Sequence, residues 1–291
     1  MADATRSIIG KKVRLADEIV RLVIYLAAAI TVLILVGMIG YLLYRGLPVV
    51  TWNFLSTPSF SYPYENFGIL ANIINTLYMI VITLLFATPI GVGAAIYLSE
   101  YAKRGRLVRL VEFTTETLAG IPSIIYGLFG GAFFFLVLGV SYSILSGALT
   151  LMIMVLPVII RTTQEAIATV PVSYREGALG IGATKWYMIR TIILPSSIEG
   201  IVTSLILSIG RIVGESAALI FTAGIAVSLP DNLITHVGKS GATLTVQLYQ
   251  YATRGGAEMK YAFATAAVLL IIVLLINLLT KLVSVRLRRE E

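Results

Sequence analysis

Long apolar runs separated by short basic or polar segments dominate this chain. Runs at about 22–44, 69–97, 118–139, 144–160, 194–223 and 261–283 approach the roughly 20 apolar residues that a helix needs to cross a bilayer core about 30 Å thick. The pattern predicts an all-α polytopic membrane protein with about six transmembrane helices. The first run is longer than the roughly 7–15 residues of a cleaved leader's apolar core, so it is read as a retained span. Only Val140, Ser141, Tyr142 and Ser143 separate the third and fourth runs, which predicts a tight helical hairpin.

Lysine and arginine alternate in density between the runs. Arg6, Lys11, Lys12, Arg14 and Arg21 precede the first run, and Lys103, Arg104, Arg106 and Arg109 follow the second. Arg161, Arg175, Lys185 and Arg190 follow the fourth, and Lys281, Arg286, Arg288 and Arg289 close the chain. The opposite segments hold Arg45, Lys239, Arg254 and Lys260. This asymmetry places both termini in the cytoplasm. The predicted layout is a cytoplasmic tail over 1–21, a first transmembrane helix over 22–44, an outer loop over 45–68, a transmembrane domain over 69–285 and a cytoplasmic tail over 286–291.

Composition fits that layout. The 291 residues are 58% hydrophobic and 13% charged, with a mean hydropathy of +0.92. Soluble domains carry roughly a quarter charged residues, so the main solvent here is membrane lipid. The net charge of +7 is then a topology signal, with no nucleic-acid partner expected. The absence of cysteine excludes disulfides and thiolate metal sites, and His236 has no companion for a metal site.

Two outer loops carry patterned aromatics. Trp52, Phe54, Phe60, Tyr62, Tyr64 and Phe67, interspersed with Pro48, Pro58 and Pro63, read first as an interfacial aromatic belt and second as a platform for an external partner. In the last outer loop Val246, Leu248, Tyr249 and Ala252 share one helical face, which predicts an interfacial amphipathic helix ended by Gly255 and Gly256.

Between the fourth and fifth runs lies a polar, glycine-rich cytoplasmic segment. Ser173 and Glu176 have the spacing of a capping box. Gly182 stands where a left-handed C-terminal cap is wanted, and Thr184 can cap a second helix. The expectation is two short helices meeting at a glycine bend, with the small residues Gly177, Ala178, Gly180 and Gly182 allowing close approach to a partner. The chain has no phosphate-cradling G-x-x-x-x-G-K-[ST] loop, so it is read as a non-enzymatic subunit whose ATP and Mg would sit on another protein.

The fifth run buries two charges, Arg211 and Glu215. If one helix runs on from Pro195, Arg211 lies roughly 24 Å from its cytoplasmic end. An ionised group there costs on the order of 2.5–3.5 kcal/mol. Spacing of i,i+4 puts both on one face, where they either neutralise each other or line a path. Ser204, Ser208, Gly210, Gly214 and Ser216 favour a path. A guanidinium fork suits oxyanions, and an ionised Glu215 accepts a hydrogen bond from the P–OH that phosphate carries and sulfate lacks. Ser208 and Ser216 join the candidate substrate pathway. Pro89 and Gly91 in the second run, and Pro122 and Gly127 in the third, are hinge candidates, with simple packing as the alternative.

The cytoplasmic segment resembles the coupling loop of ABC importer permeases. Glu176-Gly177-Ala178 is followed after three residues by Gly182 and, nine residues later, by Ile192-x-Leu194-Pro195; Gly177 stands where the pattern has alanine. Ala94–Tyr101, Gly120–Ser123, Gly210–Ala217 and Val246-Gln247 extend the resemblance to phosphate-specific permeases of the PstA type. The resemblance implies a type I ABC importer permease fold with a coupling helix at about 173–182, in a prokaryotic cytoplasmic membrane. It implies that Ser173, Glu176, Gly177, Ala178, Gly182, Leu194 and Pro195 serve ATPase coupling. The implied partners are a PstC-like second permease, a PstB-like ATPase dimer, an extracytoplasmic phosphate-binding protein and inorganic phosphate. The alternatives are another oxyanion, sulfate or molybdate, as cargo, an ion-coupled secondary anion carrier, and a non-transporting membrane component.

Overall fold

The computed structural model describes residues 15–58, 67–103, 105–230 and 232–289. Phe60, Tyr62, Pro63, Tyr64, Arg104, residues 1–14 of the predicted N-terminal tail and the last two residues of the C-terminal one lie outside them.

Each apolar run forms a helix, though not always one straight one. α1 (Leu15–Gly46) is followed by the short α2 (Trp52–Ser56), whose first turn is capped by Thr51 Oγ1 accepting the Phe54 amide at 3.2 Å. α3 (Leu70–Ile96) continues through a π-helical turn, Tyr97–Tyr101. α4 (Arg106–Ala119) and α5 (Ser123–Ala132) meet at 105°. α6 (Ile144–Ala168) is capped by Ser143, whose Oγ accepts the Ser146 amide. Four helices are long and apolar enough to cross a membrane singly, and two bent pairs bring the number of candidate spans to six among the described residues.

The core is centred on α3 against α6, where Met79, Leu151, Met154, Val155 and Ile159 are fully buried. Pro89 and Gly91 do not interrupt α3. Gly91 is instead a contact point, since a Cβ there would lie 2.6 Å from Ile159 Cγ2. Pro89 removes one helical hydrogen bond, a loss that helices packed in a membrane bundle tolerate. Pro122 does stand at a break: it caps α5 at the elbow with α4. The Tyr126 hydroxyl donates to the Leu118 carbonyl across that elbow at 2.7 Å, so one freed acceptor is paired.

The outer side departs from expectation in two places. α12 (Leu244–Arg254), capped by Thr243, is packed inside the bundle rather than laid on an interface. Leu244, Val246, Gln247 and Tyr251 are all fully buried. Gly255 (φ +65°) ends the helix, and α13 (Met259–Arg289) returns through the membrane, with α1 packed on its outer flank. Phe54 and Phe67 likewise form no belt. Both stack on Tyr261, at 5.8 and 4.2 Å between ring centroids, in a buried cluster with Tyr251. Trp52 alone of the described loop aromatics is strongly exposed (82%).

A buried polar knot joins α3 to the segment before α12. Asn72 Nδ2 donates to the Ala242 carbonyl at 3.0 Å, and Thr76 Oγ1 accepts the Leu244 amide at 2.9 Å. The His236 Nε2–Asn75 Oδ1 contact is 2.8 Å, and the imidazole packs edge-on against Tyr78. His236 is thus part of this structural network. Such bonds offset the desolvation that a buried amide or imidazole otherwise suffers.

Candidate functional site

The cytoplasmic loop folds as two helices about a glycine turn. α7 (Val172–Gly180) ends at Ile181, and Gly182 takes φ +85°, where a Cβ would be strained. Thr184 Oγ1 accepts the Tyr187 amide at 3.3 Å and caps α8 (Lys185–Met188). A π-helical turn, Ile189–Ile193, and α9 (Leu194–Ser196) follow. The predicted capping box does not form: α7 begins one residue before Ser173, with Pro171 at the cap position and no side-chain cap bond. Ser173 and Glu176 are exposed residues of the helix itself.

This loop has a seated face and an open one. Ala178 is buried against Ile167, Val170, Met188, Ile189 and Ile193. Gly177 and Gly180 face open space, with nothing within 4 Å of a Cβ. Around them Val172, Tyr174, Leu179, Ile181, Trp186 and Tyr187 are all exposed, Ile181 to 89%. A ring of apolar side chains around a bare glycine surface is the composition of a docking face. The loop is tied down beneath its open face. Arg175 Nε donates to Glu100 Oε1 at 3.0 Å, and its two terminal nitrogens donate to the Ile167 and Val170 carbonyls at 2.8 and 2.6 Å. Sequence reasoning missed this tie, because its partners stand 75 residues apart and the quoted Ala94–Tyr101 stretch carried no role for Glu100.

Leu194 and Pro195 form the elbow from the loop into the membrane. The chain turns 64° at Ser197, whose Oγ donates to the Ile193 carbonyl at 2.6 Å. α10 (Ile198–Gly214) starts there. Arg211 therefore lies about 20 Å along its own helix rather than 24 Å from Pro195.

The predicted continuous fifth span breaks at Glu215. α10 ends at Gly214, Glu215 is extended (φ −82°, ψ 127°), and α11 (Ala217–Thr222) begins anew. Arg211 and Glu215 therefore do not share a helical face, and among the described residues no ion pair joins them. Glu215 Oε1 accepts the Ala218 amide at 3.0 Å, which satisfies a donor in the first turn of α11. The Glu215 carbonyl accepts a bond from Thr245 Oγ1 of α12 at 2.8 Å. The break is thus propped from two sides, and α12 takes part in it.

Arg211 is half-buried and makes no hydrogen bond or ion pair among the described residues. The helix break at Glu215 follows this guanidinium within one turn. Beside Arg211, α10 presents an uncovered face of Thr203, Leu207, Gly210 and Gly214, and nothing lies within 4 Å of a Cβ at either glycine. Ser204 and Ser208 face the other way. Both are fully buried, and Ser208 Oγ donates back to the Ser204 carbonyl at 2.8 Å, so neither serine lines the open face. Ser216 is half-buried at the head of α11. Gly127 of α5 packs directly on α11, where a Cβ would lie 2.6 Å from Ala218 Cα.

Known proteins share this architecture. The chain is 33% identical over 276 residues to the probable ABC transporter permease protein YqgI of Bacillus subtilis, covering 91% of this chain and 94% of that one. It is 34% identical over 246 residues to the phosphate transport system permease protein PstA of Pasteurella multocida, covering 83% and 84%. Among solved structures, an inward-facing MetNI methionine ABC transporter matches with a TM-score of 0.64 at 21% identity, over 75% of this chain and 95% of that one, which bears on the fold alone. Residues 87–289 match the family described as the binding-protein-dependent transport system inner membrane component, a stretch that holds the α7–α8 loop, both helix breaks and Arg211. The chain belongs to that family and is an ABC importer permease of the cytoplasmic membrane.

Proposed function

We propose that this permease carries inorganic phosphate inward, driven by a separate ATPase pair docked on the α7–α8 face. The observation that carries the reading is Arg211: a guanidinium without a partner among the described residues, beside a smooth, open helix face inside the membrane. Holding a charge there costs on the order of 2.5–3.5 kcal/mol, a cost with no structural return unless a mobile anion meets it. The planar fork matches two oxygens of a tetrahedral oxyanion. Likeness to a PstA protein supports phosphate as that anion. The open face of α10 forms half of a pathway, and a PstC-like second permease supplies the other half. An extracytoplasmic binding protein delivers the phosphate. The ring of exposed apolar residues around Gly177 and Gly180 fits a groove on the ATPase, where ATP and Mg are held.

Glu215 caps α11 with one carboxylate oxygen and has a second with which to accept a hydrogen bond from a phosphate P–OH. Sulfate offers no such proton at neutral pH and meets only repulsion. The test is ATP-dependent uptake of labelled phosphate into vesicles that hold this chain with its copurifying partners, alone and against sulfate. Phosphate is expected to accumulate and a tenfold excess of sulfate to compete by less than half. Glu215→Gln is expected to narrow the preference for phosphate over sulfate by roughly tenfold, about 1.4 kcal/mol. Uptake of sulfate in place of phosphate by the unaltered complex defeats the cargo assignment.

A further inference from the structure

Arg175 lies on the seated side of α7, away from the docking face. Its side chain is 19% exposed, and that of its partner Glu100 is 7% exposed. The three bonds of the guanidinium reach two other elements. One goes to Glu100 in the π-helical turn that ends α3. A second goes to the Ile167 carbonyl in the last turn of α6, where a helix leaves carbonyls without helical partners and a cation is electrostatically favoured, and the third to the Val170 carbonyl two residues past its end. Lys185 of α8 makes a second link to the same turn of α3, its ammonium 5.0 Å from the centre of the Tyr101 ring. Between these links Ile96, Ile167, Val170, Ala178, Met188, Ile189 and Ile193 form a closed apolar floor.

We propose that the Arg175–Glu100 pair is the joint that transmits displacement of the docking helix to α3 and α6, and through α6 to the arginine-bearing α10. This rests on the coupling role proposed above for α7. The physical ground is stiffness. A floor of apolar side chains resists compression but slides under lateral load, because dispersion contacts have no direction. A three-bonded guanidinium does have direction, and a nearly buried pair loses heavily when pulled apart, since each charge is then left without a partner. The joint ties α7 to the two helices that form the core, and α6 packs along α10 as well. A movement of α7 therefore cannot leave those helices behind. The π-helical turn at the Glu100 end contributes the local adaptability that such insertions give a helix.

Arg175 and Glu100 touch no cargo on this account and act by positioning, so the test reads motion. The chain has no cysteine, and a single Gly210→Cys reporter on the open face of α10 is accommodated because a side chain there meets nothing within 4 Å. The labelling rate of this cysteine by a charged thiol reagent is measured in the purified complex, with and without ATP, Mg and vanadate. In the otherwise unaltered chain the nucleotide is expected to change the rate at least tenfold. Glu100→Gln preserves size and an acceptor for Arg175 Nε but removes the charge, and it is expected to reduce that change to less than threefold while the complex still assembles and hydrolyses ATP. Arg175→Lys should fall between, Arg175→Ala should reduce the change as Glu100→Gln does, and the Arg175→Ala, Glu100→Gln double variant should be no worse than Arg175→Ala, as for two groups of one joint. A full nucleotide response in Glu100→Gln overturns the proposal, as does a response lost only in step with lost assembly. A reporter unmoved in the unaltered complex overturns both the joint and the coupling role. Phosphate uptake into vesicles that hold the cysteine-free complex, without the reporter, scores the cargo separately, since the thiol reaction needs no phosphate.

Discussion

Arg211→Ala is expected to lower phosphate uptake by at least about 100-fold at equal amounts of assembled complex, which corresponds to about 2.7 kcal/mol. A hydrogen bond to a charged group is worth roughly 1.5–3 kcal/mol, and a guanidinium fork makes two such bonds to one oxyanion. Loss of both accounts for the predicted drop without any structural damage. Damage is not expected, because Arg211 makes no hydrogen bond or ion pair with described residues and its removal leaves no partner stranded. The complex should therefore copurify at its normal level. Arg211→Lys separates charge from geometry. An ammonium attracts the anion but offers no planar pair of donors, so uptake should recover to roughly a tenth of normal. Uptake by Arg211→Ala within threefold of normal, at matched protein, would remove the ground for an anion path along α10.

Helix breaks and long-range ties were the parts of this site that the amino-acid order concealed. The spans were legible because hydropathy over about 20 residues is a strong signal, and Gly182 and Thr184 were legible because turn and cap chemistry is local. The break at Glu215 gave no such signal. Apolar residues continue from Ala217 to Thr222, and the i,i+4 reading of Arg211 and Glu215 presumed a helix that ends at Gly214. The capping box failed for a related reason. Ser173 and Glu176 have the right spacing, but Pro171 suits a cap position and started the helix early. α12 shows the limit of periodicity: one apolar face looks the same whether it meets lipid or protein. What decided its burial was the polar side, where Thr245 bonds the Glu215 carbonyl across 30 residues and Thr76 bonds the Leu244 amide across 168.

Gly127→Val is expected to reduce uptake to below a tenth of normal and to lower the temperature at which the solubilised complex loses its structure by several degrees. α5 and α11 touch backbone to backbone. A Cβ on Gly127 would lie 2.6 Å from Ala218 Cα and 3.0 Å from Ala218 O, and one on Gly131, a helical turn further on, 2.6 Å from Phe221 O. Main-chain atoms cannot swing aside as the end of a side chain can, so α11 itself must move. Overpacking of this kind costs about 1–3 kcal/mol. The larger consequence is positional. α11 is held at its head by Glu215 Oε1, and Glu215 is held by Thr245, so a displaced α11 pulls on the segment that immediately follows Arg211. Gly127→Ala should show a smaller loss in the same direction. Gly37→Ala places the same methyl on α1, where nothing lies within 4 Å, and should leave uptake and thermal behaviour unchanged. Normal uptake by Gly127→Val would mean that α5 and α11 separate freely, and the geometry of the break would then owe nothing to their contact.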